Sequence, residues 1–202
     1  MKRILFSTLF VFAACGGGSK KEPVAPAPEP APPVAVTPAP EPEKAPEPAP
    51  PPAPKEATAT LASASKSKVT GEIKFKEVDG GVEVTAHVEG LKAGDHGWHV
   101  HEKGDCSAPD ASSAGGHFNP ENHKHGGPDS EEHHAGDFGN LTAGKDGKAD
   151  ATFTMKGITL ADGPTSIVGK GFIVHDKKDD LKGQPAGNAG NRVACGVINL
   201  NP

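Results

Sequence analysis

The sequence predicts an all-β fold, an antiparallel sandwich or barrel with two long functional loops, preceded by a disordered Pro-rich tether. Three observations carry this. Fifteen of the 21 prolines fall between Pro23 and Pro54. Later segments alternate apolar and polar residues with period two, and no segment of helical length shows a 3.6-residue apolar stripe.

Residues 1–14 read as a signal peptide. Lys2 and Arg3 precede an apolar run from Ile4 to Ala14, broken only by Ser7 and Thr8 and ending in small residues before Cys15. A charged start, a short apolar centre and a small-residue exit mark a secretory signal, and a run this short does not span a bilayer. Phe12-Ala13-Ala14-Cys15 resembles the lipobox of bacterial lipoproteins, with Phe12 where Leu is usual. That resemblance implies cleavage before Cys15 and its lipidation, and Gly16 in place of Asp resembles the pattern for release to the outer membrane. The alternative is a plain secretory signal with an incidental cysteine. The expected location is the periplasm or cell envelope, with a membrane as partner through the lipid on Cys15.

Residues 15–56 comprise that cysteine and a Gly/Pro/Ala/Glu-rich linker. Proline has no amide donor and a fixed φ, so this stretch builds neither helix nor sheet. About thirty residues at roughly 3.1 Å each make a semi-rigid spacer of about 100 Å. Residues 57–202 then form one globular domain. Residues 1–56 carry six Lys/Arg and six Glu, so the net charge of −5 sits on the domain. No cluster of Lys/Arg forms a basic stripe, which argues against nucleic acid as a partner.

Within the domain, Val69, Ile73 and Phe75 alternate with Thr70, Glu72, Lys74 and Lys76. Val82, Val84, Ala86 and Val88 alternate with Glu83, Thr85, His87 and Glu89. Both read as half-buried strands, and Asp79-Gly80-Gly81 between them signals a hairpin. Further strands are expected at 57–64, 96–101, 149–155, 167–175 and 193–200, with a turn at Lys145-Asp146-Gly147. The stretches 102–147 and 177–191, rich in Gly, Pro, His and Asp, are expected as long ordered loops, where function sits on a β scaffold. Apart from Cys15 the cysteines are Cys106 and Cys195. In an oxidising compartment they read as one disulfide, and neither has a second cysteine at the short spacing a metal site needs.

All ten histidines lie between His87 and His175. His99 and His101 are two apart in a strand context, so both imidazoles share one face while Trp98 and Val100 take the other. Downstream stand His117, His125, His134 with Asp137, and His175. Imidazole suits copper and zinc, and a mixed His/Asp set suits zinc. Seven ligands are too many for one ion. Two adjacent ions sharing one histidine would use them, four His around copper and three His with Asp around zinc. His87 alternates outward with Glu83 and Glu89 and reads as a surface residue. His96, His123 and His133 sit beside these residues, and the spacing to Asp137 favours His134 over His133.

The segments 97–105, 117–120, 125–128, 134–140, 174–181 and 187–198 closely resemble copper-zinc superoxide dismutase, in order and spacing, over the whole domain. The resemblance implies an eight-stranded Greek-key, Ig-like β-sandwich or barrel. It implies one copper per subunit on His99, His101, His117 and His175, and one zinc on His117, His125, His134 and Asp137, with His117 shared. Asp179 matches a carboxylate that hydrogen-bonds one ligand of each metal, here His99 and His125. Cys106 and Cys195 match the family disulfide. Arg192 matches the arginine beside copper, which with His117 makes up the catalytic pair. The implied activity is dismutation of superoxide to O₂ and H₂O₂. A non-catalytic copper/zinc-binding or buffering module is the alternative, and it needs neither an anion site nor a poised shared ligand.

Two departures stand out. Leu181 to Gly190 is short, with Lys182 its only charge, and resembles the bacterial exported form more than the charged steering loop of the eukaryotic enzymes. Trp98 replaces the more usual Phe or Leu. A homodimer is compatible with the sequence, whose alternation singles out no interface.

Overall fold

The computed structural model describes residues 53–202. The expected signal peptide, Cys15 and most of the linker lie outside the described residues. Eight strands follow in chain order: β1 Glu56–Ser63, β2 Thr70–Val78, β3 Gly81–Glu89, β4 Gly94–His101, β5 Asp137–Ala143, β6 Ala149–Met155, β7 Gly171–His175 and β8 Arg192–Leu200, with a 3-10 turn at Ser112–Ala114. Their order in the sheet is β5-β4-β7-β8-β1-β2-β3-β6, every ladder antiparallel. β5 and β6 lie against one another without a ladder, so the barrel is nearly closed. The β3–β4 and β6–β7 connections cross over neighbouring strands, giving the all-β Greek-key architecture the sequence predicts.

Alternation explains where the core sits. Ala57, Ala59 and Leu61 of β1, Ile73 and Phe75 of β2, and Val82, Val84, Ala86 and Val88 of β3 face inward, while the threonines, lysines and glutamates between them reach solvent. Trp98 stands at the centre, 5.6–5.9 Å in ring centroids from Phe138, Phe153 and Phe172, and its indole N–H donates to the Phe138 carbonyl at 3.0 Å. That bond satisfies the one polar atom an indole brings into a core.

β4 from His96 onward and all of β7 are buried on both faces. Loop segments zip onto the outside of β4: Phe118 N–H donates to Val100 O at 2.8 Å, Val100 N–H to Gly136 O at 2.9 Å, and Gly136 N–H to Phe118 O at 2.9 Å. His99 and His101 therefore sit between barrel and loop. Cys106 and Cys195 form a disulfide with a Cα–Cα distance of 5.8 Å, packed with Ala64, Ala111, Ala114 and Ile173 beneath the loop.

Two expectations are corrected. The predicted 102–147 loop contains β5. Its alternation is broken at Gly139, where φ is +77° and the β4–β5 register shifts between Gly97 and His99. Such a bulge puts Phe138 and Leu141 on the core side out of period. The predicted strand 167–175 begins only at Gly171. Before it, Ile167 N–H bonds Thr159 O at 3.1 Å and Lys170 N–H turns back to Ile167 O at 3.1 Å.

Candidate metal centre

The seven residues that the sequence singles out converge, all of them buried, in two groups: His99, His101, His117 and His175, and His117, His125, His134 and Asp137. His99 and His101 come from β4, His175 ends β7, and Asp137 begins β5. His117 reaches the centre because its segment bridges to His101.

In the first group each ring is oriented by its far nitrogen. His99 Nε2–H donates to Asp179 Oδ2 at 2.8 Å, His101 Nδ1–H to Gly115 O at 2.9 Å, and His175 Nδ1–H to Gly190 O at 3.3 Å. The opposite atoms, His99 Nδ1, His101 Nε2, His117 Nε2 and His175 Nε2, are buried and have no hydrogen-bond partner among the described residues. Buried acceptors without partners are rare and unfavourable. Four sharing one space fit a cation, and four imidazole nitrogens suit copper. Burial pushes His101 and His175 well below the usual histidine range, and the neighbouring histidines add to the effect. His99 is lowered too, because burial outweighs Asp179. Neutral rings are the form that ligates.

The second group is tighter. Asp137 Oδ1 lies 2.8 Å from His117 Nδ1, 3.1 Å from His125 Nδ1 and 3.2 Å from His134 Nδ1, and the last is 3.4 Å from His117 Nδ1. Ligand atoms about 2.0–2.1 Å from a tetrahedral zinc stand roughly 3.3–3.4 Å apart, and three of these four spacings lie near that edge while the His117–Asp137 pair is shorter. Asp137 Oδ2 accepts from Gly126 N–H at 3.1 Å and His134 N–H at 2.9 Å, which turns Oδ1 inward. Burial would raise the Asp137 carboxyl, but the three histidines outweigh it and hold it far below the ordinary range. Burial brings His117 to about 4 despite Asp137. His125 goes the other way: burial opposes its charge, yet Asp137 and Asp179 raise it to about 9. A potential that favours a proton there also favours a dication. His117 is common to both groups, one ring nitrogen in each.

Asp179, fully buried, joins the groups. Beside its bond from His99, its Oδ1 accepts from His125 Nε2–H at 3.0 Å and Leu181 N–H at 2.7 Å. Gly187, with φ +62°, passes so close that a Cβ would stand 1.8 Å from Asp179 Oδ1. Arg192 is half-buried at the first group, Nη1 donating to Ala111 O and Nη2 to Gly115 O, both at 2.6 Å. The Gly115 carbonyl also receives His101 Nδ1–H.

Two further residues support the centre, His96 and Asn140, neither of which stands out by ligand spacing. His96 is buried, with Nδ1 2.8 Å from the His175 carbonyl and Nε2 2.8 Å from the Lys92 carbonyl. The available signal was the alternation itself: it puts His96 on the Trp98 face, where an imidazole needs partners. Asn140 brackets Asp179, donating to its carbonyl at 2.9 Å and accepting its N–H at 2.7 Å. His87, bonded to Asp150 and Glu89, and His123, beside Glu121, are exposed. His133 Nδ1 bonds the His134 carbonyl at 2.8 Å, outside both groups.

A Greek-key barrel bearing two adjacent histidine-rich groups suited to cations, with one imidazole common to both, belongs to the class of metal-binding β-barrel proteins. Residues 69–198 match the family Copper/zinc superoxide dismutase. The extracellular superoxide dismutase [Cu-Zn] of Drosophila melanogaster is 45% identical over 141 residues, covering 66% of this chain and 77% of that relative. The chain belongs to the copper/zinc superoxide dismutase family. It is an oxidoreductase that uses copper and zinc to dismute superoxide.

Proposed function

We propose that residues 57–202 form the dismutase domain and that His99, His101, His117 and His175 hold its copper while His117, His125, His134 and Asp137 hold its zinc. The observation that carries this assignment is the set of five buried nitrogens without partners, four in one group and His125 Nδ1 in the other. Copper supplies one-electron exchange and zinc a fixed positive charge.

The chain's own residues do the rest. Arg192 binds the anion: two of its five N–H donors are taken by the Ala111 and Gly115 carbonyls, which fix the guanidinium plane and leave the others for substrate. Two superoxide anions and two protons yield one O₂ and one H₂O₂. His117 is the group placed to deliver a proton, because its Nδ1 lies in the Asp137 group while its Nε2 faces the other three histidines. Asp179 keeps the His99 and His125 tautomers fixed.

The metal-loaded full chain should remove superoxide catalytically. Arg192→Ala should lose about tenfold or more in kcat/KM with metal content unchanged, and His117→Ala should lose nearly all activity. Metal uptake with full turnover in either variant would refute these roles.

We also propose that the protein is exported and held at the outer membrane by lipid on Cys15, with residues 16–56 as spacer. The charged start, apolar run and lipobox-like Phe12–Cys15 support this, and the Drosophila relative is by name an extracellular enzyme. Labelled palmitate should enter the parent and not Cys15→Ala; label retained in the variant would refute the anchor.

A further inference from the structure

His125 lies in a stretch of loop without regular structure, and among the described residues its main-chain N–H and C=O meet no main-chain partner. One side chain takes both. Gln184 Oε1 accepts from His125 N–H at 2.9 Å, and Gln184 Nε2–H donates to His125 O at 2.9 Å. The carboxamide thus pairs with His125 as a neighbouring strand would. Gln184 is itself steadied by a second donation, to Lys182 O at 3.1 Å. Its turn is closed by Gly187 N–H to Gly183 O at 2.6 Å and Asp180 N–H to Gly187 O at 2.8 Å. Adding the bond from His125 Nε2 to Asp179 Oδ1, three of the four polar atoms of His125 are held by residues between Asp179 and Gln184. The fourth, Nδ1, has no hydrogen-bond partner and faces Asp137.

We propose that Gln184 is a positioning residue for the zinc group, presetting the main chain of His125 so that Nδ1 stands in the tetrahedron before the ion arrives. This rests on the assignment of His125 as a zinc ligand. Asp179 can fix only the ring, since rotation about the Cα–Cβ and Cβ–Cγ bonds still lets a mobile backbone carry Nδ1 away. The paired amide removes that backbone freedom. The short segment 181–190, with Lys182 its only charged residue, thus has a structural duty at the zinc group.

The test uses the full chain, loaded first with copper, then titrated with cobalt(II) and with zinc against a chromophoric chelator. Partners that orient metal ligands are typically worth about 10–100-fold in affinity. Gln184 is exposed and water competes for the same atoms, so the low end applies: about tenfold weaker zinc binding in Gln184→Ala, with an altered cobalt ligand-field spectrum. Gln184→Glu keeps the acceptor for His125 N–H but sets an oxygen against the His125 carbonyl, and should fall at least as far. Asn188→Ala removes a bond to Asp180 Oδ2 in the same turn and should keep parental affinity and spectrum. Parental zinc affinity and spectrum in Gln184→Ala would overturn the proposal, as would an equal loss in Asn188→Ala, which would mean that any loosening of the turn suffices. His125→Ala distinguishes the two layers. If it too leaves the cobalt spectrum unchanged, the ligand assignment falls with the proposal; if it abolishes the spectrum while Gln184→Ala does not, only the role of Gln184 falls.

Discussion

Replacing both Cys106 and Cys195 by Ala opens a loop whose ends are 89 residues apart. In the chain-entropy description, cross-linking a loop of that length removes about 15 cal/mol/K from the unfolded ensemble, or about 4–5 kcal/mol at 25 °C. Total stabilities of domains this size are typically about 5–15 kcal/mol, so the loss is a large fraction of what is available. The assay is urea unfolding of the metal-free chain, because bound metal would add its own linkage to the transition. With a slope of about 2 kcal/mol/M, the midpoint should fall by about 2 M, and the slope should rise as the unfolded state expands. The bridge also pins the segment that presents the Ala111 and Gly115 carbonyls to Arg192. Remetallated double variant should therefore lose catalytic efficiency as well, by about tenfold, through a loosened guanidinium. A midpoint shift below about 0.5 M would refute the loop-entropy reasoning. Lost stability with unchanged efficiency would refute the link to Arg192.

Asp179→Ala leaves His99 Nε2–H and His125 Nε2–H buried without acceptors, and both metals should bind about 10–100-fold more weakly by chelator competition. Trp98→Ala empties the centre of the aromatic cluster formed with Phe138, Phe153 and Phe172 and should cost about 3–5 kcal/mol in denaturant unfolding, with metal stoichiometry kept if the variant folds. Glu77 is held below the usual carboxylate range by the Thr159 hydroxyl and by the Leu160 and Ala161 N–H groups, which outweigh its slight burial. A lowered folded-state pKa adds stability that is complete above the unfolded-state value near 4.5 and is lost as pH falls through the lower value. Glu77→Gln should therefore lose that contribution at neutral pH and show a flatter acid limb, so that variant and parent converge as pH falls; parallel acid limbs would count against the role.

The strands whose one face meets solvent were the most legible. β3 and the centre of β2 carry clear alternation, since Lys74, Lys76, Glu83 and His87 face water while Ile73, Phe75, Val82 and Val84 face the core. β5 is hidden in the sequence because the bulge at Gly139 puts two core residues out of period, and β7 starts later than its apolar run because Ile167 is buried in a turn rather than a ladder. At the centre, the residues with an unusual type and spacing could be picked out: His99, His101, His117, His125, His134, Asp137 and His175. Asn140 and Gln184 carry no such mark, being ordinary amides whose work depends on what they face.

The all-β class, the faces of β1 to β3 and the residue types that suit copper and zinc are written in composition, periodicity and short-range spacing, which are local properties of the chain. Which nitrogen of each ring turns inward, and which polar groups hold it there, is settled by long-range contacts. His96 meets the His175 carbonyl across 79 positions, His99 meets Asp179 across 80, and Gln184 meets His125 across 59. Ring orientation depends on hydrogen bonds to groups that are neighbours only once the barrel has closed and the loops have folded onto β4 and β7.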